Sequence, residues 1–191
     1  MNTKYLKDVA EIIAGYTFRT ALKPLENGLM KVVQSKNISD RFYIDNSCLT
    51  KINLQEYKTK AIIEKNDIIV TSRGSFRVGV TNGDIENTIA SSSVYIIRIK
   101  DNNISSEYLA VYLNSICGQR KIKKRMTGSI IKTILRKDLE NIKIPIPNQD
   151  IQNKIINLYK NNLLQQKLLT KKKMLVNEIN EGLIINFLKN I

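Results

Sequence analysis

The 191-residue chain is 42% hydrophobic and 25% charged, which fits a folded protein with room for one domain and an extended element. Its formal net charge of +14 points to a polyanionic partner, because Lys and Arg that neutralise phosphates release condensed counterions. Histidine is absent, which removes Ser-His-Asp and Cys-His triads, H-E-x-x-H zinc sites and any histidine general base. The two cysteines, Cys48 and Cys117, form neither a disulfide framework nor a C-x-x-C site.

The N-terminal stretch reaches Asp8 before any apolar run forms, so no signal peptide is expected. No stretch approaches 18 apolar residues, so a span across a membrane is not expected and a cytoplasmic location is. Leu6, Val9, Ile12 and Ile13 have helical spacing and end at Gly15. Met30 to Gln34 is a short β-prone run, and Ile68–Thr71 and Val94–Ile99 are the strongest strand signals. Between them lie the polar turn Ser72–Arg77, the hairpin signal Asn82-Gly83 and the serine run 91–93. From Ser106, a candidate N-cap, Leu109, Tyr112, Leu113 and Ile116 share one helical face that closes at Gly118.

Positive charge is concentrated in the next segment. Gln119–Lys143 holds nine basic and two acidic residues, net +7, which is half of the chain's excess. Ile142–Pro147 alternates like a strand, but its prolines confine it to an edge or a connector. Beyond Pro147, Ile151, Ile155, Leu158, Leu169, Val176, Ile179 and Leu183 fall at three- and four-residue steps, with Asn162, Gln165, Lys172 and Asn186 in the same stripe. That pattern reads as a long helix with a coiled-coil-like seam, or as an amphipathic helix folded back on the core. The expected fold is α+β, with a mixed globular domain over 1–147 and a long helix over 148–191.

The order of these blocks resembles the DNA-specificity subunits of type I restriction–modification systems. The resemblance is carried by Leu6–Gly15, by Lys65–Gly74 (where the family usually has glycine at Asn66), by Ala90–Val94 and by Tyr108–Ser115. It continues from Thr127-Gly128-Ser129 to Ile144-Pro145-Ile146-Pro147, then Gln152 and Glu181-Gly182-Leu183. Such subunits usually carry two target-recognition domains and two long helices, and this sequence carries one of each. The resemblance therefore implies a half-length form that pairs with itself through the helix and reads a bipartite, palindromic site on double-stranded DNA. A truncated or silent half and a stand-alone DNA-binding regulator are the alternatives. The implied partners are a modification subunit, which carries S-adenosylmethionine and methylates adenine, and a restriction subunit. The chain itself is expected to hold no cofactor or metal and to catalyse nothing.

Phosphate contacts are expected from Arg120, Lys121, Lys123, Lys124, Arg125 and Lys132. Base reading needs forked or amide groups, which directs attention to Arg73, Arg77, Gln34 and Asn37. Ser75, Ser92, Thr127 and Ser129 offer hydroxyls, and Gly74 and Gly128 would let backbone N–H groups approach a phosphate. Tyr16, Phe18 and Phe76 suit core packing better than stacking on bases. Asp45 with Glu56-Tyr57-Lys58 has the rough form of a metal-dependent nuclease motif but lacks strand-like apolar neighbours. Gly74 to Gly79 has P-loop glycine spacing but continues with Val80 instead of lysine. Lys171-Lys172-Lys173 is too short a basic run, on a face too poor in Trp and Phe, for a membrane-surface helix.

Overall fold

The computed structural model describes residues 2–38, 42–53, 59–83 and 85–189, so Glu56-Tyr57-Lys58 lies outside the described residues. It divides into two compact units, residues 1–153 and 154–191. The first strand, β1 (Thr3–Tyr5), runs into a single helical turn, α1 (Leu6–Val9), and then into β2 (Ala10–Ala14). The helix expected over residues 6–13 is thus only one turn. Ala10 is already extended, and Ile12 and Ile13 are buried in a strand paired antiparallel with β8 (Val94–Ile99). Cross-strand pairing of β-branched residues has overridden a local helical spacing.

The remaining strands complete three sheets. These strands are β3 (Met30–Val33), β4 (Thr50–Ile52), β5 (Ile68–Thr71), β6 (Val78–Val80), β7 (Thr88–Ala90) and β9 (Lys143–Pro145). One sheet runs β2-β8-β5-β6, entirely antiparallel; a second runs β4-β3-β7, with β3 and β7 parallel; the third is the pair β1-β9. Asn82-Gly83 is not a hairpin turn. Gly83 does take the positive φ such a turn uses, but β6 pairs with β5 while β7 pairs with β3, in different sheets. The hairpin turn is Ser72–Arg77, between β5 and β6.

Isoleucine and valine fill the core. Ile13, Val33, Ile38, Ile69, Val94 and Ile96 form one cluster, while Met30, Val32, Ile52, Ala61 and Ile89 form another. Tyr16 and Phe18 meet edge to face and pack against the second cluster, and Phe76 is buried, so all three aromatics serve packing. The chain enters β5 through Asn66, whose φ of 67° lies in the left-handed region that glycine and asparagine tolerate best. Asp67, 1% exposed, then accepts two hydrogen bonds from the Arg98 guanidinium, at 3.0 and 2.8 Å, and one from the Glu64 backbone N–H.

Helix α2 (Ser106–Asn114) is capped by Ser105, not Ser106: the Ser105 hydroxyl accepts from the Tyr108 N–H at 3.0 Å. It stops at Ser115, which caps the next helix, α3 (Ile116–Lys123), so Gly118 lies inside α3 instead of closing α2. Gly118 is required there because a Cβ would collide with the Tyr112 carbonyl. Burial pushes the Tyr108 phenol up to about 12, and its hydroxyl donates to the Pro145 carbonyl. A short helix, α4 (Arg136–Glu140), precedes β9, and α5 (Gln149–Lys189) completes the chain. Gln152 is fully buried in the first turn of α5. Its amide accepts from the Ser105 N–H and donates to the carbonyls of Asn103 and Pro147, which fixes where the helix begins.

Both polar anchors on the sheets can be tested by substitution. Arg98→Met strands the buried Asp67 carboxylate and lowers unfolding free energy by about 3 kcal/mol, read by urea denaturation. Asp101 is held down at about 2, first by the hydrogen bond from the Lys4 ammonium at 2.7 Å. A depressed carboxylate pKa contributes stability above its unfolded value, lost as pH falls through about 2. Lys4→Met therefore moves the Asp101 titration upward in a carboxyl NMR titration and shifts acid unfolding to higher pH.

Candidate nucleic-acid interface

The ends of β2, β3, β5 and β7 and the start of β8 lie together, because of the registers that pair Ala14 with Tyr95, Val33 with Ala90 and Thr71 with Val94. Loops from both larger sheets therefore emerge side by side. At the junction the serine run 91–93 is engaged through its backbone and the Ser91 and Ser93 hydroxyls, while the Ser92 side chain is exposed. Ser91 N–H donates to the Val33 carbonyl, Ser92 N–H to Tyr16 and Ser72 N–H to Ser93, while the Ser93 hydroxyl accepts from the Ser35 N–H at 3.0 Å.

Beside this junction a cleft of about 250 Å³ is lined by Ser35, Lys36, Thr71, Arg73, Ser75 and Arg77. Its shape depends on Thr71, buried at the end of β5. The Thr71 hydroxyl donates to the Ser75 carbonyl at 2.7 Å and accepts from the Arg77 N–H at 3.0 Å, closing the turn that presents both arginines. The Arg73, Ser75 and Arg77 side chains are exposed, and Gln34 lies half-buried at the edge of the same turn as Lys36. Lys36 and Thr71 carry no distinguishing mark in the sequence. The signal for Lys36 was its position between two candidates, Gln34 and Asn37.

A second loop is fastened to the Arg73 turn. Gly74 N–H donates to the Lys132 carbonyl at 2.7 Å, and Ile134 N–H donates to Ser72 at 3.0 Å. Thr127 and Thr133 exchange backbone hydrogen bonds of 2.9 and 2.8 Å, which closes the loop into a narrow finger. Ile134 is fully buried at its base and accepts from the Tyr95 hydroxyl, whose pKa is raised by burial. Thr127, Gly128, Ser129 and Lys132 are exposed on the finger. Gly128 takes a φ of 102° with the Ile131 carbonyl where a Cβ would stand, so no other residue fits there without strain.

Several expected contacts have other work in this conformation. The Asn37 amide accepts from the Gln34 N–H and donates to the Cys48 carbonyl. The Gly74 N–H is bonded to Lys132, so it does not face a ligand. Lys121 donates to the Lys143 carbonyl at 2.7 Å, and Arg125 donates to the carbonyls of Lys121 and Asn141. Arg120, Lys121 and Lys123 occupy the last turn of α3, where cations complement the helix dipole. Arg120, Lys123, Lys124, Lys132 and Arg73 are exposed, and among the described residues their side chains make no hydrogen bond or ion pair. None of the α3 cations lines the cleft. Asp45 caps a 3-10 turn through the Ser47 N–H. Among the described residues, no three His, Cys, Asp or Glu side chains group as a metal site, and no helix is long and apolar enough to cross a membrane.

Residues 1–178 match the model of the type I restriction modification DNA specificity domain. The chain belongs to that family. Its fold is shared with the S subunit of the type I restriction–modification system of M. genitalium (18% identity, TM-score 0.57, 82% of this chain and 37% of that one). It is also shared with the HsdS subunit of Thermoanaerobacter tengcongensis (19% identity, TM-score 0.61, 90% and 39%). A chain from a structural study of complex assembly and conformational transition in a type I R-M system is similar at 18% identity, with TM-score 0.66 over 90% and 40%. The chain thus spans about two fifths of the length of each of these three chains.

The division of the basic residues is testable by stability. Arg125→Ala loses two carbonyl hydrogen bonds and destabilises the fold by about 1–2 kcal/mol. Lys124→Ala and Arg73→Ala, on exposed side chains, stay within about 0.5 kcal/mol of the parent in the same thermal melts.

Proposed function

We propose that this chain is a DNA-recognition module of a type I specificity subunit and chooses where the system acts without catalysing a step itself. The observation that carries this reading is the convergence, at one end of the two larger sheets, of Lys36, Arg73 and Arg77 with the finger that bears Lys132. Guanidinium forks at an exposed turn suit bidentate contacts to guanine O6 and N7, and the exposed lysines suit phosphates. Lys124, Lys123 and Arg120 extend the positive surface along α3, and Gln34, Ser75, Ser92, Thr127 and Ser129 supply neutral donors and acceptors around it.

Residues 148–191 are the spacer and pairing element. The 41 residues of α5 amount to about 60 Å of helix. Leu158, Leu169, Val176, Ile179 and Leu183 of the expected seam are all exposed, as is Ile151, while Ile155 is half-buried. Leu164, Leu168 and Leu175 are exposed too, and at 100° per residue they form a second stripe beside the first. An exposed apolar band this wide calls for more than one covering helix. The seam suits a second copy of the chain. The neighbouring stripe suits a helix of the modification subunit, with the restriction subunit recruited to that assembly. Two copies related by a two-fold axis would read a palindrome with a fixed, unread spacer.

Light scattering tests the pairing. The full chain is expected at about twice 21.9 kDa, and Leu169→Glu with Val176→Glu, both on exposed positions, reduces it to one copy. A chain that stays monomeric at tens of micromolar would sink the symmetric arrangement. For the DNA contacts, each lysine on a phosphate adds about 0.9 to the slope of log K against log salt, so Lys132→Gln should flatten that slope by about one contact.

A further inference from the structure

The finger ends in an apolar tip that none of the described residues covers. Ile130 is 95% exposed and Ile131 60%, although Ile134 of the same segment is fully buried. The base of the tip is fixed by the reciprocal Thr127–Thr133 bonds, the turn at Gly128 and the Gly74–Lys132 bond. Arg73 stands at that base through its pairing with Thr133, Lys132 lies on the finger itself, and Lys123 and Lys124 precede it in the chain. Two isoleucines offer far less than the roughly 800 Å² per partner of a stable protein interface, and their rim is cationic. A surface that is small, apolar and flanked by Arg73 and Lys132 complements DNA.

We propose that Ile130 is a specificity-determining residue that reads thymine through its C5-methyl group in the major groove. This rests on the DNA-binding reading above and names one of its contacts. Duplex DNA presents an apolar group on a base edge in the major groove, the thymine methyl. Two antiparallel limbs about 5 Å apart, with their side chains, fit a major groove about 12 Å wide and are too broad for a minor groove of about 6 Å. Arg73 at the base of the finger would then face an adjacent base or phosphate, so that one loop pair combines a polar and an apolar contact.

The experiment uses the full chain and a duplex site selected from a random-sequence pool, remade with uracil in place of each thymine in turn. Uracil at one position under the finger should weaken binding about fourfold, the worth of one buried methyl group. Ile130→Ala should bind thymine and uracil forms alike, at reduced affinity, with an unchanged melting temperature because the residue is exposed. A site with no methyl dependence, or an Ile130→Ala variant that keeps it, overturns the proposal. So does unstacking of 2-aminopurine beside the finger, which would make the tip a wedge. An Ile130→Ala variant that binds DNA normally but loses a modification subunit assigns the tip to a protein and overturns it too. If the chain selects no site at all, the DNA-reading function fails with it, whereas methyl-independent binding to a selected site sinks this inference and leaves the function standing.

Discussion

The junction at Ser91-Ser92-Ser93 is the constraint on which the rest depends. Within these residues the chain leaves the three-stranded sheet at β7 and enters the four-stranded sheet at β8, with no helix or long loop to absorb the change of direction. Small side chains fit at Ser91 and Ser93 because four other segments bond to the turn: β3, the Tyr16 strand end, the Ser72 turn and the Ser35 turn. Gly15 makes the same point from the other side, since a Cβ there would collide with the Ser91 backbone carbonyl. Every backbone group engaged in joining the sheets also brings a loop to the same end of the domain. Structure and candidate interface are thus one arrangement: hydrogen bonds that close the core present the loops.

That dual role explains why positive charge and interface do not coincide residue by residue. Half of the excess charge lies in Gln119–Lys143, yet part of it is consumed internally. Lys121 and Arg125 satisfy carbonyls at the edge of β9 and its approach, and the last turn of α3 gains from cations near its C-terminus. The cleft relies instead on three cations from two separate turns, Lys36, Arg73 and Arg77. Such a division allows stability and recognition to vary separately at Lys36 and Arg73, whereas the Arg77 guanidinium also donates to the Ile38 carbonyl.

Helix α5 obeys a different logic. Its start is determined by one buried amide, Gln152, whose three hydrogen bonds leave no polar atom unsatisfied and allow little freedom in register. Between Leu158 and Leu183 the helix then carries apolar side chains on two adjoining stripes, exposed in the single chain. A helix of that composition gains its stability from partners, because isolated propensity and i,i+4 pairs contribute only tenths of a kcal/mol per residue. In the proposed pairing, the polar seam positions Asn162, Gln165 and Lys172 would favour a particular register over maximal stability.

What could be read from the sequence were features set by local chemistry. The strongest strands, β5 and β8, the long α5, the proline-limited β9 and the basic segment are all visible, because β-branched runs, sustained helical spacing and charge density do not depend on distant partners. The family resemblance also lay in the order of such blocks. Tertiary structure decided what local pattern left degenerate. Residues 10–14 became a strand because β8 offered a partner, although their spacing with Leu6 and Val9 suited a helix equally. Asn82-Gly83 turned without forming a hairpin because β7 found β3 in another sheet. Asn37, Gly74, Lys121 and Arg125 looked available for DNA, and only the packed fold shows their polar groups engaged. The cleft and the exposed Ile130 were likewise invisible. An isoleucine is ordinarily read as core, and only long-range hydrogen bonds, such as that from Gly74 to Lys132, hold this one out in solvent.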